Sequence, residues 1–151
     1  MRFTLDSNVL VYAVDAGAGE RHAFAAEVLA RAATSDAILT TQAVGEFLSV
    51  VRRKNPSAFS AALGEVGRWA TIFPIAPTTC DHVIEAAAMA ERFRLQLWDC
   101  VIWRAARSNG ASVFVSEDLQ DGFSTGGMTV LNPFNSKNAE VLAALLGIEE
   151  K

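Results

Sequence analysis

The stretch Met1-Arg2-Phe3-Thr4-Leu5-Asp6-Ser7-Asn8-Val9-Leu10-Val11-Tyr12 decides how the chain is read. Residues 2–6 have the apolar character of a short strand that ends at the polar corner Asp6-Ser7-Asn8. The apolar run from Val9 to Tyr12 then supplies the first turns of a helix. Strand, polar corner and helix form the opening unit of an α/β protein, and the corner falls where such folds collect ligands, at the carboxyl end of a strand.

The pattern continues outward from this unit. Residues 20–33 are Ala-rich and helical, Ala37 to Thr40 reads as a second strand, and Thr41 is placed to cap a helix reaching Lys54. Pro56 suits the first turn of another helix, since its missing N–H is not needed there. Ile72 to Ala76 reads as a third strand, followed by helices over 79–93 and 97–108, the second stopped by Asn109-Gly110. Val113 to Val115 and Met128 to Leu131 read as strands, Gly122 to Gly127 as a loose segment, and 136–147 as a closing helix. Strands alternating with helices predict a three-layer α/β/α fold with a mostly parallel central sheet. With no repeat, linker or low-complexity tract, residues 1–151 are expected to make a single domain.

Bulk properties narrow the function. A chain of 151 residues that is 51% hydrophobic can bury its own core. The opening segment carries Arg2 and Asp6, and no apolar run approaches the ~18 residues of a membrane span, so a cytoplasmic protein without a membrane partner is expected. Cys80 and Cys100 do not form a CxxC pair and are read as two core thiols. A net charge of −4 argues against a protein that grips nucleic acid through its overall field. Positive charge is nevertheless clustered, at Arg52-Arg53-Lys54 and around residue 99 at Arg92, Arg94, Arg104 and Arg107. Either run serves as a solvated helix end or as a phosphate contact.

Four acidic positions stand next to apolar neighbours: Asp6 beside Leu5, Glu46 beside Phe47, Asp99 beside Trp98, and Asp118 beside Leu119. A carboxylate kept for solubility normally stands among polar residues on an exposed face. Asp6 alone serves equally as a helix N-cap or as a ligand; Ser7 and Asn8 can also cap, which would free the Asp6 carboxylate while Asn8 orients it. Glu46 borders the stripe formed by Val44, Phe47, Leu48 and Val51, with pairing to Arg53 as its ordinary alternative. Asp99 lies three, four and seven residues before Ile102, Trp103 and Ala106, which places it on their inward stripe. Asp118 follows a buried strand, whereas its neighbours Glu117 and Asp121 are read as solvated.

If the four meet at one sheet edge they repel: two like charges about 4 Å apart cost on the order of 4 kcal/mol at an effective dielectric near 20. Oxygen-only donors select a hard cation such as Mg²⁺ or Mn²⁺ over Zn²⁺, and His22 and His82, in helical surface contexts, are not read as ligands.

Leu5-Asp6-Ser7-Asn8-Val9-Leu10, an inward Glu46, Asp99 opening a late helix, Ser116-Glu117-Asp118-Leu119-Gln120-Asp121-Gly122 after a strand, and Asn132-Pro133-Phe134 follow one another along nearly the whole chain. In that order they resemble PIN-domain ribonucleases, in particular the VapC toxins of bacterial toxin–antitoxin pairs. The resemblance implies one or two Mg²⁺ or Mn²⁺ ions, endoribonuclease cleavage of RNA by activated water, a homodimer, and inhibition by a VapB-like antitoxin. By matched position it makes Asp6, Glu46, Asp99 and Asp118 the catalytic and metal-holding quartet, supported by Asn8 and Ser116. With the ions supplying local positive charge, the clustered arginines need only position the RNA backbone, and Arg52, Arg53, Arg104 and Arg107 are the candidate RNA contacts. Trp98 departs from the pattern, since smaller or more polar residues are commoner before the third acid, and this bears on substrate preference. The competing reading is a non-catalytic RNA- or protein-binding module of the same fold. A phosphoacceptor receiver domain is disfavoured, because none of Lys54, Lys137 and Lys151 follows a late strand, and a Rossmann nucleotide binder lacks its glycines at Asp6-Ser7-Asn8. Phe59, Leu63 and Val66, at helical spacing, form either a core stripe or the dimer surface.

Overall fold

The computed structural model describes residues 1–148. Its elements run β1 (Phe3–Leu5), α1 (Ser7–Val14), α2 (Glu20–Ala32), β2 (Ala37–Thr40), α3 (Thr41–Lys54), α4 (Phe59–Ile72), β3 (Ile75–Ala76), α5 (Cys80–Phe93), α6 (Leu97–Ser108), β4 (Val113–Val115), β5 (Ser124–Thr125), β6 (Met128–Leu131) and α7 (Ala139–Leu145), with short 3₁₀ turns before α2, α4 and α7. One six-stranded sheet has the order β3-β2-β1-β4-β6-β5. All its pairings are parallel except β5 with β6.

Every residue of β1, β2 and β4 is buried, as expected of parallel strands covered on both faces. Phe3, Leu5, Ile38, Leu39, Phe114 and Val115 fill these positions. Of the two polar residues among them, Thr4 and Thr40, Thr4 donates from Oγ1 to the Ile38 carbonyl at 2.8 Å, so its burial carries no unpaired hydroxyl. The chain builds outward from β1 to β2 and β3, then returns to the other side of β1 for β4 and β6. The strand order therefore reverses between β1 and β4, and the crevice beyond their carboxyl ends is the favoured ligand position of an open parallel sheet. Asp6 and Ser116 follow those two strands directly.

Three sequence expectations are corrected. Ile72 is the last residue of α4, not the start of a strand; the helix is capped by the Phe73 N–H to the Trp69 carbonyl at 2.8 Å, and Pro74 delays the strand to Ile75. Thr40, not Thr41, caps α3, accepting from the Ala43 N–H at 3.1 Å. The segment 122–127 is no loose loop: Ser124-Thr125 pairs with Met128-Thr129 across a turn in which Gly126 and Gly127 take φ of 58° and 85°. Positive φ at both turn positions matches the right-handed twist of a two-residue hairpin, and a Cβ on Gly127 would stand 2.9 Å from the Arg107 guanidinium nitrogens.

His82 and Cys80 also differ from expectation. His82 is buried, where its Nδ1 accepts the Thr79 N–H at 3.1 Å and its own N–H reaches Thr79 Oγ1 at 3.2 Å, a capping box at the start of α5. Cys100 of α6 is a core thiol, but Cys80 is exposed in the first turn of α5. Among the described residues no helix is long and apolar enough to cross a membrane.

Candidate active site

The corner after β1 is built around Asp6, which is fully buried. Its backbone N–H bonds to the Val115 carbonyl at 2.9 Å, so the β1–β4 pairing carries it to the end of the sheet. Asp6 is itself the N-cap of α1, Oδ1 accepting the Ser7 N–H at 2.7 Å. The expectation that Ser7 and Asn8 would free it from that task is thus wrong; capping and site chemistry share one carboxylate. Oδ2 accepts Ser116 Oγ–H at 2.5 Å, and Ser116 Oγ in turn accepts the Asp118 N–H at 3.1 Å. Ser116 therefore holds Asp6 and the turn bearing Asp118 at once.

Asn8 does not orient Asp6. Both atoms of its amide are buried without a hydrogen-bond partner, so neither is bonded to the Asp6 carboxylate. Ser7, taken only for a capping residue from sequence, is the bridge instead. Its Oγ donates to Glu46 Oε2 at 2.9 Å, and Gln42 Nε2, one helical turn before Glu46, donates to Oε1 at 3.2 Å. Glu46 is half-buried and is tied to Ser7 and Gln42, not to Arg53.

Asp99 is buried on the inward stripe of α6, with Ile102, Trp103 and Ala106 beneath it, as its spacing predicts. Burial is the largest influence on its carboxyl and, with the charges of Asp6, Asp118 and Glu46, pushes its pKa up to about 7. Asp6 is raised to about 6 by burial and by Asp118 and Glu46, against the lowering influence of the Ser116 and Ser7 hydrogen bonds. The fold thus brings all four acids within electrostatic reach of one another, with no arginine or lysine among the charges that bear on Asp6 or Asp99.

Glu117 and Asp121, read as solvated, are both engaged. Glu117 accepts Tyr12 Oη–H at 2.5 Å and Arg21 Nη1–H at 2.6 Å. Asp121 accepts the Asn132 N–H at 2.9 Å and the side-chain amides of Asn135 and Asn138 at 2.9 to 3.0 Å. These bonds hold its pKa below the usual carboxylate value against the opposing effect of burial. The polar composition of the turn concealed this, because the partners lie in the Asn132-Pro133-Phe134 segment and the turn after it.

Two of the four arginines proposed as RNA contacts are occupied elsewhere. Arg104 binds Glu85 of α5 at 2.7 Å, and Arg107 Nε donates to the Gly126 carbonyl at 3.0 Å. That glycine lies in the turn before β6, level with the first residues of β4, so Arg107 works at the entry edge of the sheet, opposite Asp6. Arg52 lies over the Phe59 ring at 5.8 Å, and both Arg52 and Arg53 sit ~9 Å or more along the α3 axis from Glu46 at about 1.5 Å per residue.

The residues fit a hard divalent cation. Their donors are oxygen alone, and the neighbouring carboxylates raise the pKa of Asp6 and Asp99 with no basic neighbour to offset them. Among the described residues no three acidic, histidine or cysteine side chains close into a ready-made cage; an ion such as Mg²⁺ that keeps several waters needs only one or two direct carboxylates.

A parallel sheet with buried carboxylates at its topological switch point defines a class, α/β proteins with an acidic site suited to hard cations. Within that class the chain belongs to the PIN domain family, which matches residues 3–124. No curated protein sequence matches the chain. Among solved structures it is similar to a sarcin–ricin loop cleaving toxin, VapC20 of Mycobacterium tuberculosis, with a TM-score of 0.64 and 18% identity over 77% of this chain and 91% of that one. VapBC2 of Rickettsia felis, bound to a DNA fragment of its promoter, superposes with a TM-score of 0.61 and 15% identity, covering 87% of this chain and 98% of that one. A toxin–antitoxin complex of Klebsiella pneumoniae gives a TM-score of 0.61 and 18% identity over 87% and 97%. At these identities the likeness is one of fold.

Proposed function

We propose that the chain is a toxin of the VapC type, an endoribonuclease that hydrolyses RNA phosphodiester bonds and is restrained by a VapB-like antitoxin. The observation that carries this reading is the buried Asp6 carboxylate, held by Ser7 and Ser116 and loaded with the charge of Asp99, Asp118 and Glu46. Membership of the PIN domain family and a fold shared with toxins and toxin–antitoxin complexes support it.

Asp6, Glu46, Asp99 and Asp118 would hold Mg²⁺ or Mn²⁺, which when bound lowers the pKa of a coordinated water and offsets charge on the phosphate. Ser116 and Ser7 fix the Asp6 carboxylate and oppose the rise in its pKa, because each donates to it and favours its charged form. Ser7 and Gln42 hold the two oxygens of Glu46 in place. Water acts as nucleophile in this reading, so the RNA 2′-hydroxyl is not consumed.

Incubating the purified protein with an RNA pool, with and without Mg²⁺ or Mn²⁺, tests the reading. Metal-dependent cuts leaving 5′-phosphate ends are expected, and Asp99→Asn is expected to abolish them while the protein still folds. A 2′,3′-cyclic phosphate product, or full activity in Asp99→Asn, overturns the mechanism. We also propose a homodimer joined through α4, where Leu63 is 49% exposed beside half-buried Phe59 and Val66. A monomeric mass by light scattering at micromolar concentration would overturn that part.

A further inference from the structure

The turn that carries Asp118 is restrained at both ends. On its far side Asp121 is bound by Asn132, Asn135 and Asn138. On its near side Glu117 lies between Ser116, which holds Asp6, and Asp118. Its carboxylate turns toward the start of the chain, where Tyr12 of α1 donates to Oε1 at 2.5 Å and Arg21 of α2 to Oε2 at 2.6 Å.

Arg21 is fixed in its turn. Its guanidinium stacks 4.3 Å from the Phe134 ring and 5.6 Å from the Tyr12 ring, and those two rings meet edge to face at 5.6 Å. His22, next to Arg21, ties α2 to α1 through a 2.9 Å contact between Nδ1 and the Tyr12 carbonyl. Tyr12 and Arg21, 105 and 96 positions away in sequence, thus converge on one carboxylate adjacent to Asp118. Asp118 itself is exposed and is secured through its backbone N–H to Ser116, so the direction of its side chain follows the backbone of this turn.

We propose that Arg21 is a positioning residue: acting through Glu117, it sets where the Asp118 carboxylate stands relative to Asp6 and so tunes the affinity of the site for a divalent ion. The proposal rests on the nuclease reading above. The Glu117 side chain is only 18% exposed, which screens the pair less than an ordinary surface ion pair, and both of its oxygens are engaged away from the quartet. Outer-shell groups of this kind orient the direct ligands, and their loss typically costs about tenfold to a hundredfold in metal affinity or activity.

Mn²⁺ alone is the probe. Free Mn²⁺ is followed by electron paramagnetic resonance during titration of the full chain, wild type against Arg21→Met, Glu117→Gln and Arg21→Lys, and kcat and KM are measured on an RNA oligomer that the wild type cleaves. Arg21→Met and Glu117→Gln are each expected to weaken Mn²⁺ binding about tenfold, to lower kcat at fixed metal with KM unchanged, and to be no worse when combined. Arg21→Lys is expected to recover most of the affinity, because it restores the charge on Glu117. Circular dichroism identifies any variant that fails to fold, and Arg21→Lys and Glu117→Gln, the mildest changes, then decide the outcome. Wild-type Mn²⁺ affinity in Arg21→Met overturns the proposal alone, as does a loss confined to KM, which would make Arg21 an RNA contact. A wild-type protein that neither binds Mn²⁺ nor cleaves RNA overturns the nuclease reading beneath it.

Discussion

Ser116 Oγ lies 2.5 Å from Asp6 Oδ2 and accepts the Asp118 N–H at 3.1 Å, so one buried hydroxyl couples two acids 112 residues apart in the chain, residues 6 and 118. Ser116→Ala removes the donor to Asp6 and leaves the Asp118 N–H without its partner. The expected result is a loss of about 1–2 kcal/mol of stability in denaturant melts, together with about a tenfold or greater fall in RNA cleavage at fixed Mn²⁺. Unchanged cleavage would show that Asp6 does not depend on this hydroxyl.

The metal-free protein is expected to be more stable at pH 5.5 than at pH 8. Asp6 and Asp99 are raised to about 6 and about 7 from 3.8. Between pH ~4 and ~7 the folded state therefore binds protons that the unfolded chain has released, and stability falls as pH rises through that window. A difference of a few kcal/mol corresponds to roughly 5–10 °C in Tm for a domain of this size. Asp99→Asn should flatten the slope and raise Tm at pH 8, while millimolar Mn²⁺ should raise the wild-type Tm at pH 8 by binding the native state. Differential scanning fluorimetry in chelator and in Mn²⁺ distinguishes these cases, and a wild-type Tm indifferent to both pH and Mn²⁺ would sink the charged-cluster account.

Asp121→Asn is expected to destabilise the fold by about 1–3 kcal/mol, since its amide cannot accept at both positions now used by Asn132, Asn135 and Asn138. Cleavage should fall with it as the turn loosens. The neutral control is Glu91→Gln, whose side chain is 81% exposed in a 4.0 Å contact with Arg94; activity and Tm should stay at the wild-type level.

Arg94 is the one non-glycine with positive φ among the described residues, 56°, at the end of α5. A left-handed residue here favours glycine by about 1 kcal/mol. Arg94→Gly should therefore raise Tm by a few degrees, and a lowered Tm would mean that the arginine side chain makes a contribution larger than its backbone strain.

The parts legible in the sequence are those set by local pattern. The burial of Asp99 follows from its spacing to Ile102, Trp103 and Ala106 along one helix, and Asp6 is found because a strand-to-helix corner is a local signal. Long-range polar bonds left no such trace. Ser7 bridging to Glu46, Tyr12 and Arg21 reaching Glu117, and the asparagines around Asp121 join residues 11 to 105 positions apart. In composition each looks like a surface polar residue. The β5–β6 hairpin leaves a weak trace for a related reason: the pairs flanking Gly126-Gly127 are only two residues long. Arg104 and Arg107 stand near Asp99 in sequence, but the helix carries them toward the opposite end of the sheet.

The strands at the two rims of the sheet, β3 and β5, are two residues each, and β5 runs against the direction of the others. A rim this short offers an incoming chain almost no ladder of free amides and carbonyls on which to register. Copies held at high concentration therefore lack a template for strand-by-strand stacking. Any self-association is thereby left to the helical surfaces.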